Sequence, residues 1–79
     1  MANREIIERL NNEMRYGDKM EIARRTGLHK LSVNRFFNGK EDEMIEDTQS
    51  KIMTAALSII EERQKRAKEI AIKTSSLLG

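Results

Sequence analysis

Apolar residues recur at spacings of three and four along most of the chain, which is typical of α-helices. Four such segments are predicted, near residues 3–15, 19–26, 30–38 and 47–72. Proline is absent, and no segment shows sustained alternation of β-branched residues, so strands are not expected. The predicted fold class is therefore all-α: a small bundle of four to five helices with a long C-terminal helix.

Polar residues mark the predicted starts of these helices. Asn3 is suitably placed to cap the first helix. Asp18, with Glu21 three residues later, resembles a capping box at the start of the second. The acidic segment 41–47 is interpreted as a solvated loop or a helix start, with Asp47 as the cap of the last helix.

One face of each predicted helix supplies the expected core. Its members are Ile6, Leu10, Ile22, Ala23, Leu28, Val33, Phe36, Ile52, Ala56 and Ile59. Met20 is also expected to face inward, and Phe37 to belong to the core beside Phe36. Beyond Glu61 the apolar stripe thins, and charged side chains interrupt it. The predicted organisation is a domain over 1–61 followed by a C-terminal extension over 62–79, either a dimerisation arm, a frayed helix end or both.

Composition limits the size of this core and the setting of the protein. The chain has 79 residues, 38% hydrophobic, with three aromatic residues, so a single small domain is expected. Oligomerisation is a common way to stabilise so small a core. Cysteine is absent, which excludes disulfides and thiolate metal sites. The lack of a long apolar run and the charged N-terminus favour a cytoplasmic protein that does not enter a membrane.

Charge is unevenly distributed along the chain. Residues 1–40 hold nine Lys or Arg and five Asp or Glu, giving +4. Residues 41–50 hold five acids and no base, giving −5, and residues 51–79 hold six bases and three acids, giving +3. The first half would suit an anionic partner, although basic side chains on helix surfaces also serve only to keep a domain soluble.

Residues 19–38 carry the most specific pattern in the sequence. Two short helices joined by a turn of three to four residues that contains glycine define the helix-turn-helix unit. Ala23 is small where the helices must approach each other, and Gly27 lies in the turn, where a positive φ is unfavourable for other residues. Asn38 and Gly39 end the second helix of the pair. The angle between the helices would be fixed by apolar contacts from Ile22, Leu28, Val33 and Phe36.

This stretch, "EIARRTGLHKLSVNRFFNG", resembles the helix-turn-helix of the lactose-repressor and phage Cro/repressor (lambda repressor-like) groups of DNA-binding proteins. The segment "TQSKIMTAALSII" resembles the helix that follows in those groups, and the preceding helix fits the phage arrangement better. His29 departs from the pattern, because the family usually has a Ser or Thr cap there. A weaker or shifted helix start is therefore expected.

The resemblance implies specific roles for eight side chains. The expected base contacts are Lys30, Leu31, Asn34 and Arg35. Their chemistry agrees, since Arg or Lys can donate to guanine, Asn can pair with adenine and an apolar group can contact a thymine methyl. The expected phosphate contacts are Lys19, His29, Asn38 and Lys40. Without the motif, the same side chains would be interpreted as a solvated helix face, and Leu31 as an isolated apolar residue on the surface.

Catalysis is not expected, because the chain lacks a Cys nucleophile and a glycine-rich phosphate loop, and its one His has no visible catalytic partners. Cofactors, metals and a small-molecule effector are not expected either. The leading hypothesis is a sequence-specific, nucleoid-associated regulator that binds double-stranded DNA as a homodimer, of bacterial or phage origin. The alternative is a protein-interaction module or antitoxin-like adaptor that docks a partner through its C-terminal helix.

Overall fold

The structure is a computed structural model that describes residues 4–78, with side chains up to Leu77. Its helices are α1 (Arg4–Glu13), α2 (Asp18–Thr26), α3 (Lys30–Arg35) and α4 (Glu46–Leu78). After α3 the chain continues through a helical turn over Phe36–Lys40, which is broken at Gly39 with φ of 93°, and a 3-10 turn over Glu41–Glu43. Residues 4–78 contain no strand, so the all-α prediction with a long C-terminal helix is confirmed. The predicted cap Asn3 lies outside the described residues.

All four helices contribute to one apolar core. The buried side chains are Ile7, Leu10, Ile22, Val33, Phe36, Phe37, Ile52, Ala55, Ala56, Ile59 and Ile60. Ala23 and Leu28 are partly buried and pack against this cluster. Phe36 and Phe37 meet edge to face, with ring centroids 5.1 Å apart, a favoured geometry for aromatic pairs.

The predicted core position of Ile6 is wrong. Ile7 is fully buried, whereas Ile6 is 47% exposed. The apolar side of α1 runs through Ile7 and Leu10 and continues to Met14 just past the helix. Leu10 and Met14 follow Ile7 by three and seven residues, and Ile6 lies to one side of this stripe. Met20 is also exposed instead of facing inward, because α2 turns Ile22 and Ala23 toward the core.

The start of α2 differs from the predicted capping box. Gly17 precedes the helix in the left-handed conformation, with φ of 89°, and no side chain caps the first turn. Asp18 is instead the first helical residue, and its carboxylate accepts a hydrogen bond of 2.7 Å from the backbone N–H of Arg15. The Glu21 carboxylate accepts hydrogen bonds from arginines of its own helix. Glycine replaces a side-chain cap here because the turn requires a positive φ.

The predicted cap of α4 is also wrong, although the helix begins within one residue of the predicted start. Asp47 lies inside the first turn, where it forms an ion pair of 3.3 Å with Lys51, so it is not the cap. The Ile45 carbonyl accepts from the Gln49 backbone N–H at 3.2 Å, and the Gln49 side chain donates to the Met44 carbonyl at 2.9 Å. The buried Gln49 amide therefore stabilises the backbone that leads into the helix.

The last helix is longer than predicted and extends beyond the bundle. It has 33 residues and continues past residue 72 to Leu78, because no proline or glycine interrupts it. All described side chains from residue 64 to Leu77 are exposed, and the molecule is 53 Å long but only 24 Å across. Contacts between α4 and the bundle reach Glu62 and Arg63, just past the predicted boundary at residue 61.

Candidate nucleic-acid interface

The predicted pair of helices is present as α2 and α3, with residues 27–29 between them. Gly27 has φ of 74°, as expected for the turn, and its backbone N–H donates to the Ala23 carbonyl at 2.9 Å. This bond satisfies a carbonyl at the end of α2, where the last four have no partner within the helix. The chain can therefore leave α2 and begin α3 three residues later.

His29 fixes the start of α3. It has an extended conformation, and its Nδ1 accepts a hydrogen bond of 3.1 Å from the Leu31 backbone N–H. The helix begins at Lys30, so the start of α3 is not shifted as expected. A neutral imidazole nitrogen accepts as a Ser or Thr oxygen would, which explains how His29 replaces the usual cap.

α3 has one buried and one exposed side. Val33 and Phe36 are fully buried. On the other side, Lys30 and Arg35 are exposed, and Leu31 is 56% exposed. Asn34 is half-buried at the margin. We call the side chains of Lys30, Leu31, Asn34 and Arg35 the α3 face; all four predicted base-contacting residues therefore lie on one surface of one helix.

Of the four predicted phosphate contacts, one lies directly before α3, two lie after it and one lies in α2. His29 is exposed before α3, and Asn38 and Lys40 are exposed in the turn that follows it. Lys19, in the first turn of α2, is half-buried, with its ammonium 5.4 Å from the centroid of the Phe37 ring. This cation–π contact holds the lysine beside the core aromatic that supports α3.

Arg4 supports the far end of α3 and was not identified from the sequence. Its guanidinium donates to the Glu41 carboxylate at 2.6 Å and to the Phe37 carbonyl at 3.2 Å. Glu41 is buried, so this member of the acidic segment is not part of a solvated loop as predicted. Arg4 thereby fixes the backbone between α3 and Lys40. No sequence signal shows this contact, because the two residues are 37 positions apart.

The two arginines of α2, Arg24 and Arg25, form ion pairs with carboxylates of α2 and α4. We call Glu21, Arg24, Arg25 and Glu62 the α2–α4 cluster. Both arginines donate to the Glu21 carboxylate, and Arg25 also donates to Glu62 at 2.7 Å. The hydrogen bonds from Arg24 and Arg25 lower the pKa of Glu21 to about 2 from its ordinary value of 4.5. Arg25 likewise lowers the pKa of Glu62. These arginines therefore have intramolecular partners.

Arg63 makes a second connection between α4 and the start of α2. It donates to the Asp18 carboxylate at 2.6 Å and to the Glu13 carbonyl at 3.2 Å. Burial raises the pKa of Asp18, but hydrogen bonds from Arg63 and from the Arg15 backbone outweigh burial and lower it overall. One sequence feature points to this role: Arg63 interrupts the apolar stripe of α4 at a core-facing position.

The basic residues of the candidate interface differ from those of the α2–α4 cluster. Within residues 4–78, Lys30, Arg35 and Lys40 form no ion pair. Their charged groups are exposed and have no carboxylate of the described residues within ion-pair distance, which suits a surface that meets an anionic polymer.

Two features are absent from the part of the chain that the structure describes. No group of three or more metal-ligating side chains is assembled there. Nor is any helix in residues 4–78 both long and apolar enough to cross a membrane. No family model, curated protein or solved structure matches the chain.

Proposed function

We propose that this protein binds double-stranded DNA sequence-specifically, with α3 in the major groove, and acts as a small transcriptional regulator. The observation that carries the proposal is the α3 face: two cations that form no ion pair within residues 4–78, an amide and an exposed leucine on one side of a short helix whose other side is buried. An α-helix fits the major groove, where these side-chain types can distinguish base pairs.

The supporting structure around α3 favours the same function. The contact of Lys19 with the Phe37 ring and the contacts of Arg4 with Glu41 and the Phe37 carbonyl support the chain directly after α3. Recognition of base edges requires such a fixed helix, because each hydrogen bond must be formed at a defined position. His29 before α3 and Asn38 and Lys40 after it are exposed and, in this proposal, contact phosphates.

We further propose that the protein acts as a homodimer on a two-fold symmetric site. One module of this size makes few base contacts, and pairing on two half-sites is the usual route to useful affinity. The protein would act in the cytoplasm, associated with the nucleoid.

Selection of bound duplexes from a random pool, followed by binding measurements over a range of salt concentrations, tests this function. The expected result is an enriched two-fold symmetric sequence and an affinity that falls steeply with salt as counterions are released. If no sequence is enriched and no duplex binds even at low salt, the proposal is wrong.

A second candidate function is docking of a protein partner through α4. It is favoured by exposed apolar side chains on the projecting part of the helix, among them Ile70, Ile72 and Leu77. Such an adaptor, including one of antitoxin type, would retain α2 and α3 only as a scaffold. Binding through an apolar surface should depend little on salt, so the same salt series separates the two candidates.

A further inference from the structure

The projecting part of α4 has an apolar stripe that continues the core side of the helix. Up to Arg63, this side of α4 packs on α1 and α2. Beyond it, the same side carries Ala67, Ile70, Thr74 and Leu77, spaced by three, four and three residues as in a coiled coil. We call these four residues the distal seam. Ile70 is 59% and Leu77 87% exposed, so the seam has no covering element within residues 4–78.

A groove lies where the distal seam meets the bundle. It has a volume of about 430 Å³ and is open to solvent. Its apolar lining comes from Ile59, Ala67 and Ile70, and charged side chains of α2 and α4 surround it, including Arg63 and Arg66. The groove therefore exposes the end of the core and the start of the seam together.

We propose that the distal seam binds the distal seam of a second copy of this chain, with the two α4 helices antiparallel. The inference rests on the dimer named in the proposed function, but not on DNA binding.

Steric considerations decide the direction. In a parallel pair, the second α4 would continue along the side of the helix on which α1 and α2 already lie, so its first half would overlap with the bundle. In an antiparallel pair, the second helix runs away from the bundle, and each bundle lies beyond the other copy's seam. The helix has about 15 residues after Arg63, or roughly 22 Å at 1.5 Å per residue, which is enough for such an overlap.

The side chains fit this direction as well. In the antiparallel arrangement that sets Ile70 opposite Thr74, Leu77 lies opposite Ala67. Each large residue then faces a smaller one, and each Leu77 reaches the groove lined by Ile59, Ala67 and Ile70 of the other copy. The contact is isologous, since the same residues contribute from both copies.

Charges beside the seam are compatible with this arrangement. Glu69 and Lys73 are exposed and lie four residues apart on one flank of the seam. Two-fold pairing brings the two flanks together, so each lysine lies within reach of a carboxylate from both copies. The opposite side of the helix carries Lys65, Lys68 and Ile72 and stays in solvent.

The expected dimer is reversible. A stable interface buries about 1,600 Å² in total, and two seams of four residues each provide less. Association should therefore depend on protein concentration.

Sedimentation equilibrium of the full chain without DNA tests the proposal. Ile70→Ser should weaken self-association at least tenfold, whereas Ile72→Ser is a matched control, because Ile72 is equally exposed at 59% but lies on the other side of the helix. At protein concentrations where the natural chain is monomeric, both variants should keep the wild-type melting temperature, since neither side chain is in the core. No self-association at any concentration, or equal losses for the two variants, would overturn the proposal.

Cysteine cross-linking tests the direction, because the natural chain has no thiol. Under mild oxidation, a mixture of the Ala67→Cys and Leu77→Cys proteins should form mainly the mixed disulfide. Predominant linkage of Ala67→Cys to itself would indicate a parallel pair and contradict the antiparallel seam. Because neither experiment contains DNA, a failure here is distinct from a failure to bind DNA.

Discussion

Arginine and lysine occur in two contrasting settings on α2 and α3. In the α2–α4 cluster, Arg24 and Arg25 donate to Glu21 and Glu62, so their charges are balanced within the molecule. On the α3 face, Lys30 and Arg35 have no ion pair within residues 4–78. The comparison shows that the number of basic residues does not identify a binding surface. Their intramolecular partners decide whether the charge is available to another molecule.

The two settings also differ in what supports them. The α3 face lies directly over Val33, Phe36 and Phe37, which are buried, so its geometry depends on the core. The α2–α4 cluster lies at the surface and depends on side chains that solvent can reach. Damage to the core should therefore affect the α3 face far more than it affects the α2–α4 cluster.

The largest expected effect follows loss of the aromatic support under the α3 face. Phe36→Ala should lower the free energy of unfolding by about 3–5 kcal/mol, because a fully buried ring is replaced by a cavity. Urea denaturation followed by circular dichroism measures this. Leu31→Ala, on the exposed side of the same helix, is the control and should change the free energy of unfolding little. Equal effects of the two substitutions would show that Phe36 does not support the core.

A smaller effect is expected from removing one charge of each setting. Arg35→Ala should cost about 1–3 kcal/mol of binding to the preferred duplex and relax the preference at one base pair, because arginine can donate two hydrogen bonds to guanine. Arg24→Ala removes an arginine that is already paired with Glu21 and should leave DNA affinity nearly unchanged. Fluorescence anisotropy with the preferred and a random duplex measures both. If Arg35→Ala weakens the two duplexes equally, Arg35 does not read bases.

Lys40 should behave differently from Arg35. As a phosphate contact, it adds affinity without sequence information, so Lys40→Ala should weaken all duplexes about equally. The slope of log affinity against log salt should become smaller by about one. Titrations at several salt concentrations measure the slope. An unchanged slope together with loss on the preferred duplex alone would assign Lys40 to base recognition.

The smallest expected effect concerns the α2–α4 cluster in acid. The pKa of Glu21 is about 2 in the folded protein and has its ordinary value of 4.5 when the residue is unpaired. The ionised carboxylate therefore stabilises the fold fully above pH 4.5, and this contribution is lost as the pH falls toward 2. Urea midpoints between pH 6 and pH 2 should fall less steeply for Glu21→Gln than for the natural chain.

The matched control for this titration is Glu61→Gln. Within the described part of the chain Glu61 forms no ion pair, so the variant should follow the acid dependence of the natural protein. If Glu21→Gln and the natural chain show the same pH dependence, the hydrogen bonds from Arg24 and Arg25 do not stabilise the folded state.

Local patterns predicted much of the fold correctly. The helical spacing gave all four helices, and Gly27 was assigned a positive φ because a short turn between two helices requires one. One error lies where two solutions are locally equivalent. Ile6 and Ile7 are neighbours in one helix, and only packing against α4 and the turn after α3 decides which of them is buried.

For the candidate site, the sequence predicts local placement but not the long-range contacts. Lys30, Leu31 and Arg35 lie together on the exposed side of α3, as their spacing in a helix requires. Arg4 and Arg63, which hold the two ends of the motif, were not identified. Their partners are 37 and 45 residues away in the chain, and hydrogen bonds over such separations leave no periodic signal.

The sequence by itself determined the helices, the position of the turn and the side chains that α3 can present, because helix periodicity and glycine conformation act over only a few residues. Tertiary structure decided which of these charges meet a partner from elsewhere in the chain. Arg24 and Arg25 meet Glu21 three and four residues earlier in the same helix, a spacing that the sequence already shows. Folding adds Glu62 of α4 beside Arg25, while no carboxylate of residues 4–78 forms an ion pair with Lys30 or Arg35.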